Sequence, residues 1–590
     1  MEGTSRRKFI GALGTVGAVS VAGCTGDDGE TEPDDTNGNN SSNNETNERV
    51  DQTFNSIVRV PPTDAQFNVW NVSQGAGDLD QWIYESFAYY NGETDEWLPF
   101  LADDWSFDSD EGILTVTLGD RSWHDGEPLT SEDVATHIRI DKHFGSAIWN
   151  FIDEIGTPDD STLEFDVGSE VNSSILLSNV LAVEPRTKAS EYQSFLDDLE
   201  AAENDTELDD AKSALQEYSD TNEVGYGVFE VDSMSSNRAI LVPYEDHPRS
   251  DQINYTEHQL DFRTENQAQW QALMSQDQDW AAVPIPPNVR ETLPDHVQQY
   301  VMPGPFGSGI GFQYDDPVFG NRNVRKAVAY AIDVAPAAAN AGEFFPVNQV
   351  TGIPGSDDSI ARNYIGDKLD SFEDYSQDLE KAASLLEEEG FSQEDGAWIT
   401  PDGEEVSGGV VVPGGWSDQV KELQTVVSQL QDFGLNVNLQ TEEDAALHGS
   451  TRPNGEFAMT YFFWTWSYIP YSQYNEVWVN THYTEGATNF NPTVEGIPAP
   501  FDLSNSSTTI EAGNLVEQLS KEPDTDKQNE LISELAWTYN QDLPVYPIAM
   551  HPTQYYVNTD GWSFPPTDHE HANVENGQYF ITHGHVQAER

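Results

Sequence analysis

Apolar residues recur at helical spacing in some stretches of this chain and alternate with polar ones in others. Over residues 78–90, Leu79, Trp82, Ile83, Phe87 and Ala88 fall on one side of a 3.6-residue wheel, which predicts a helix. Residues 323–333 place Val324, Ala327, Val328, Ala331 and Ile332 on one face. Residues 377–389 do the same with Leu379, Ala382, Ala383 and Leu386, and Gly390 follows as a C-cap. A longer amphipathic run, 418–433, turns Val420, Leu423, Val427 and Leu430 inward and leads through Gly434 into the alternating strand 435–439. Residues 53–60 alternate like a strand. Residues 105–118 read as a hairpin turning at Asp110-Glu111-Gly112. Thr130 and Asp133, three apart, mark a helix start close to a capping box. Helix, short loop and strand in repetition indicate an α/β fold with helices covering a sheet. Residues 190–218 look like a very acidic helical hairpin, a solvated surface insertion.

The first fifty residues follow another pattern. Ser5-Arg6-Arg7-Lys8-Phe9-Ile10 has the form of a twin-arginine export signal, ahead of a Gly-, Ala- and Val-rich run that ends at Cys24. That run is shorter than the ~20 apolar residues a membrane-spanning helix needs, so a signal peptide over 1–24 is expected. Val21-Ala22-Gly23-Cys24 is a lipobox, which makes Cys24 the lipid-bearing residue. Residues 25–52 are nearly all polar or acidic and cannot bury apolar surface, so they are expected to form a disordered tether. The sequons at Asn39, Asn40 and Asn44 fall within it. Cys24 is the only cysteine, so the fold carries no intramolecular disulfide.

Charge narrows the picture. The chain has 104 acidic against 26 basic residues, a formal net charge of −78. Nucleic acid is thereby excluded as a partner, because phosphate binding needs clustered Lys and Arg. Disorder is not the explanation, since 15 Trp, 23 Tyr and 27 Phe supply ample core material. A folded protein this acidic is adapted to molar salt, where the Debye length falls to ~3 Å. Scarce lysine and twin-arginine export fit a haloarchaeal lipoprotein.

The motifs then point one way. Leu98-Pro99-Phe100-Leu101-Ala102-Asp103-Asp104-Trp105 precedes Trp123-His124-Asp125-Gly126-Glu127-Pro128-Leu129-Thr130-Ser131-Glu132-Asp133-Val134. Later come Asn323-Val324-Arg325-Lys326-Ala327, the Lys381-Ala382-Ala383 helix ending at Gly390-Phe391, and Asp542-Leu543-Pro544-Val545-Tyr546-Pro547-Ile548. In this order the segments resemble the family 5 extracellular solute-binding proteins of ABC importers, the peptide, nickel and oligosaccharide class, from about residue 53 to about 581. The resemblance implies a two-lobed, periplasmic-binding-protein-like α/β fold of the type II class, with an inserted subdomain near 91–220. Lobe I would comprise 53–305 and 540–590, and lobe II 306–539. The four glycines of 304–311 would sit at the first crossover. It further implies capture of a small-molecule solute or peptide and its delivery to ABC transporter permease subunits, at the extracellular face of the membrane. Two departures stand out. Gly225-Tyr226-Gly227-Val228 replaces the family's Gly-Thr-Gly-Pro, and Ser467 stands where peptide binders carry an Asp that pairs with the ligand's α-ammonium.

Candidate chemistry is therefore binding. Trp464, Trp466, Ser467 and Tyr468 crowd one short stretch, and large rigid rings suit a pocket wall. Core filling by an aromatic strand is the competing reading. Trp416, on a Gly-Gly loop that opens a helix, is a second candidate against the same alternative. The pairs His569/His571 and His583/His585 are read as an exposed polar tail rather than a metal site, and His124 as structural; no cofactor is expected. The common hydrolase and nucleotide-binding signatures are missing, so an enzyme is not expected. A secreted halophilic hydrolase is the rival class, and oligosaccharide or metal chelate the rival ligands. Replacing Cys24 by Ala is expected to move the protein from membrane to medium, and Arg6-Arg7 to Lys-Lys to block export. Membrane association unchanged in the cysteine variant, read by fractionation, refutes the anchor.

Overall fold

The computed structural model describes residues 49–589 apart from 72–74, 76–77, 92–93, 95, 169–170, 264, 284, 303–305, 343, 348–349, 444–445, 465–468, 480–487, 505–507, 568 and 570–577. The expected signal peptide, with Arg6, Arg7 and Cys24, lies outside the described residues. Strand β1 (Val50–Val58) begins inside the expected tether, its start at Val50 fixed by parallel pairing with residue 255. Strands β2 (Ala102–Asp108), β3 (Ile113–Leu118), β4 (Glu154–Asp159) and β5 (Thr162–Asp166) form a sheet of order β2-β3-β5-β4. The expected β2–β3 hairpin is present. Asp108 Oδ1 accepts from the amides of Asp110 and Glu111, and Gly112 closes the turn at φ +69°.

Helix α1 (Ser131–His143) opens with a full capping box, in which Asp133 accepts from the Thr130 amide at 2.8 Å. Helices α2 (Ser173–Leu181), α3 (Ala189–Ala201) and α4 (Asp205–Glu217) follow. The acidic pair α3–α4 is more than a solvated insertion. Tyr192, Leu196, Leu199 and Leu215 pack with Trp70 and Ile140 in a cluster of their own. Strands β6 (Phe229–Ser235), β7 (Arg238–Pro243) and β8 (Tyr255–Phe262) then join β1 in the order β1-β8-β7-β6.

The helix expected over 78–90 is only one turn, Asp80–Ile83. Its apolar spacing has another cause: residues 88–91 form a strand paired with 96–99, and Phe87 is buried at the bend just ahead of it. That turn serves as an anchor. The amides of Tyr226 and Gly227 both donate to the Ile83 carbonyl, and a Cβ on Gly225 would lie 2.1 Å from that oxygen. His124 clamps the same loop, accepting at Nδ1 from the Gly225 amide and donating from Nε2 to the Gly227 carbonyl. Burial lowers its pKa to about 4, which keeps the ring neutral. His124 is therefore structural, and Gly225 and Gly227 are the close-approach positions.

Strands β9 (Trp280–Ala282) and β10 (Val297–Met302) begin a third sheet, and β11 (Gly307–Phe312) a fourth. Helix α5 (Arg322–Ala331), helix α6 (Leu379–Glu388), strand β12 (Ser407–Pro413), helix α7 (Ser417–Phe433), and strands β13 (Asn436–Glu442) and β14 (Met459–Trp464) come next. Helices α8 (Pro470–Trp478), α9 (Ala512–Lys521) and α10 (Thr525–Asp542) lead to β15 (Val545–Met550), which completes the fourth sheet as β13-β12-β14-β11-β15. Strand β16 (Thr553–Asn558) then returns to the third, between β9 and β10. Helices α5, α6 and α7 bury Val324, Val328, Leu386, Leu423 and Leu430 against the fourth sheet. Leu379, expected inward, is 48% exposed, because it is the first residue of α6, beyond the packed turns.

The signature motifs meet in two buried ion clusters. Arg325 donates to the Asp542 carboxylate at 2.9 Å and to the Asp542 and Leu543 carbonyls, Arg322 donates to the same carboxylate at 2.9 Å, and Tyr314 donates at 2.6 Å. Nearby, Glu373 accepts from Lys326 and Lys381, each at 2.7 Å, and from Tyr330 at 2.9 Å. Burial would raise the Glu373 carboxyl, but the two ammonium groups hold it at about 2. Its folded pKa lies below the ordinary value of 4.5, so its contribution is present above pH 4.5 and is lost as pH falls toward 2. The full effect is about 3 kcal/mol. In denaturant titrations at molar KCl, Glu373→Gln is expected to be less stable than wild type at neutral pH and to converge on it near the acid limit. A constant gap across pH refutes the assignment.

Candidate functional site

The chain passes between the third and fourth sheets at two neighbouring places. β10 ends at Met302 and β11 begins at Gly307, while β15 ends at Met550 and β16 begins at Thr553. Gly307 pairs with Met550 on one side and with Trp464 on the other, so β14 ends where both crossings occur.

Alternation along β14 sends its rings to opposite faces. Trp464 is fully buried (0% exposed), on the face that also carries Phe462, 6.3 Å away ring to ring. A Cβ on Gly307 would lie 2.2 Å from its Cζ2, so the glycine is what lets the indole lie flat on β11. Gly311 leaves room for Phe462 in the same way, at 3.3 Å. These glycines thus stand within a paired strand and accommodate rings. Trp464, read from sequence as a pocket wall, presents no open face in this structure; it fills the core.

On the opposite face Phe463 is half-buried. Its ring lies 6.1 Å from Phe306, 6.1 Å from Trp416 and 5.4 Å from His551, and Trp416 also meets Tyr461 at 5.2 Å. Trp416 is the N-cap of α7, half-buried beside the exposed Gly414 and Gly415. Trp466, Ser467 and Tyr468 lie outside the described residues. Just beyond them Pro470 starts α8, and Tyr471 meets Phe151 edge to face at 5.9 Å.

Beneath Phe463 is a polar cluster with no local sequence signal. Ser308 Oγ donates to Glu422, at 2.7 and 2.8 Å from its two oxygens, and His551 Nε2 lies at hydrogen-bond distance, 2.8 Å, from Ser308 Oγ. His551 Nδ1 lies 3.7 Å from Asp418. The residue types are those of a hydrolytic triad, but the proton logic is reversed. The Ser308 hydroxyl donates to the Glu422 carboxyl, and Ser308 is 2% exposed. The cluster ties both crossings to α7.

Elsewhere, a pocket of 590 Å³ beside α5 is lined by Arg322, Lys326, Glu389, Thr493 and Pro498, and none of the candidate aromatics borders it. The C-terminal histidines are not an exposed tail. His583 stacks on Tyr579 at 3.7 Å and on Phe100 at 4.7 Å, and His585 lies 5.2 Å from His569, because the segment folds back on the sheet residues it follows. His571 lies outside the described residues. Among the described residues no group of three His, Cys, Asp or Glu side chains is arranged to hold a metal, and no helix is long and apolar enough to cross a membrane.

The packing of Trp464 has a direct test. Gly307→Ala is expected to cost about 2 kcal/mol or more, as overpacked cores do. Gly415→Ala, whose Cβ would meet nothing within 4 Å, should be close to neutral. Equal denaturation midpoints for the two variants refute this account.

The comparisons bear on the whole molecule. No curated protein matches the chain in sequence. Among solved structures, a periplasmic oligopeptide-binding protein of an oligopeptide ABC transporter from Thermotoga maritima superposes with a TM-score of 0.74 at 20% identity, covering 92% of this chain and 100% of that one. The oligopeptide-binding protein AppA from Bacillus subtilis, in complex with a nonapeptide, gives 0.67 at 15% identity, with 92% and 100% covered. NikZ from Campylobacter jejuni, in complex with Ni(L-His), gives 0.65 at 13% identity, with 87% and 94% covered. The α/β architecture is thus the two-lobed periplasmic-binding-protein fold. The family model of bacterial extracellular solute-binding proteins, family 5 (middle region), matches residues 96–485, and the chain belongs to that family.

Proposed function

We propose that this protein captures a peptide or a solute of similar amphiphilic character between its lobes and hands it to the permease of an ABC importer. The observation that carries this reading is the pair of adjacent crossings, 302–307 and 550–553, with aromatic rings at the point where they meet. Two short crossings side by side let two bodies close on a ligand by rotation. They support lobe boundaries near 305 and near 550, with β15 counted in the second body, later than the 540 read from sequence. The family's solved structures include complexes with a nonapeptide, with mannohexaose and with Ni(L-His), so fold alone does not choose a ligand. The residues of this chain favour an amphiphile. Trp416 and Phe463 offer ring faces, Trp466 and Tyr468 follow in the same stretch, and Ser467 offers a hydrogen bond without charge. The role is binding rather than catalysis, and Cys24 is the membrane anchor.

Mass spectrometry of protein purified natively in molar KCl is expected to release one small-molecule species. Alanine at Trp416 or Trp466 should weaken its rebinding, read by calorimetry, by about 2 kcal/mol, as for a buried aromatic anchor. Turnover of a chromogenic ester or glycoside with no retained solute overturns the reading in favour of a hydrolase.

A further inference from the structure

Helices α2 and α9 meet end to end, beside a buried apolar cluster to which both contribute. Asn172 is the N-cap of α2, and its Oδ1 accepts from the amides of Ser174 and Ile175 at 3.1 and 3.3 Å. The rest of the same residue faces the other lobe. Its Nδ2 donates to the Leu519 carbonyl at 3.2 Å and its backbone amide to the Ser520 carbonyl at 3.0 Å. Those carbonyls belong to the last turn of α9, where a helix supplies no donors of its own to its carbonyls. One asparagine therefore caps two helices from different lobes, and it is 4% exposed. The positive end of α2 also faces the negative end of α9, an alignment that the helix dipoles favour. Phe151, just ahead of β4, adds the edge-to-face contact with Tyr471 at the start of α8.

We propose that Asn172 is a latch residue, which holds the lobes shut around a bound solute and so sets how long that solute stays. The inference rests on the two-lobed solute-binding reading. The crossings are covalent and strand-paired and so persist in any state. The Asn172 contact consists of donors and carbonyls that water satisfies equally well once separated. It is the kind of contact that opens without leaving buried polar groups stranded. Asn172 is a positioning residue and need not touch the solute.

The test separates latch from cap. Asn172→Asp keeps an equally good N-cap acceptor for α2 but sets a carboxylate against the α9 carbonyls in place of the Nδ2 donor. Spin labels go on cysteines at the exposed positions Asp198 in α3 and Asp526 in α10, in the full chain with Cys24→Ala. Double electron–electron resonance is recorded in molar KCl on protein as purified. The variant is expected to show a longer-distance population, with the ratio of short to long falling at least about three-fold, the order of one lost hydrogen bond. The melting midpoint should stay at the wild-type value. A wild-type distance distribution in Asn172→Asp overturns the latch. If Asn172→Asp melts early, Asn172→Ser, which caps α2 without the Nδ2 donor, is judged by the same ratio. Absence of any co-purified solute would refute the solute-binding reading instead, and the distance result stands apart from it.

Discussion

The buried carboxylate of Asp542 is the constraint on which the rest of the second lobe depends. It sits at the end of α10, immediately before β15, and accepts from Arg325, Arg322 and Tyr314. Burial alone would raise its pKa; the two guanidinium groups outweigh that and hold it below the ordinary range. Removing one partner from a buried pair of this kind costs about 3–5 kcal/mol, because an uncompensated charge is left behind. The geometry explains the scale of the consequence. Tyr314 follows β11, Arg325 lies on α5, and Asp542 leads into β15, so one acid fixes the two strands that approach the crossings. Leu543 takes a left-handed φ of +52° to make that turn, a conformation that a non-glycine residue holds only when its surroundings demand it.

The scarcity of cations gives this clamp a wider meaning. In a chain with 26 basic residues, Arg121 and Arg249 converge with His247 on buried Glu85, Arg322 and Arg325 on Asp542, and Lys326 and Lys381 on Glu373. Molar salt screens exposed charges beyond ~3 Å, which makes a net charge of −78 tolerable on the outside. It screens contact pairs inside the protein far less. Six of the basic residues are thereby committed in pairs to three acids, in contacts that salt screens least.

How much was legible in the sequence follows from how local each feature is. The hairpin at 108–113, the capping box at Thr130 and the helices α5, α6 and α7 were readable because turn chemistry and periodicity act within a few residues. The same logic misled at 78–90, where apolar residues at helical spacing are buried from a short turn and a strand. The family motifs were readable as a resemblance, and the structure supplies their physical content: residues 325 and 542 are partners, and so are 326, 381 and 373. Long-range partnerships leave no local mark. Nothing near Ser308 announces Glu422 or His551, and nothing near Asn172 announces the end of α9. Trp464 shows the limit of local reading, since an aromatic-rich strand reads alike whether its rings face a ligand or a glycine strand.

The Ser308 cluster changes what Trp416 can be. From sequence it sits on a flexible Gly-Gly loop, and in the structure Gly414 and Gly415 are indeed exposed. Yet Trp416 stands at the N-cap position of α7, and Asp418 and Glu422, in the first and second turns of that helix, face His551 and Ser308. His551 and Ser308 are the residues at which β15 is left and β11 is entered. The indole is thus tied through a single helix to both crossings, and its ring meets Phe463 edge to face, on the strand beside β11. A solute that pressed on Trp416 would push on the element that grips both crossings. The buried Glu422 accepts from Ser308, and loosening that contact would leave polar groups in the core without partners, which makes the coupling stiff. Ring and crossings must therefore move together or not at all.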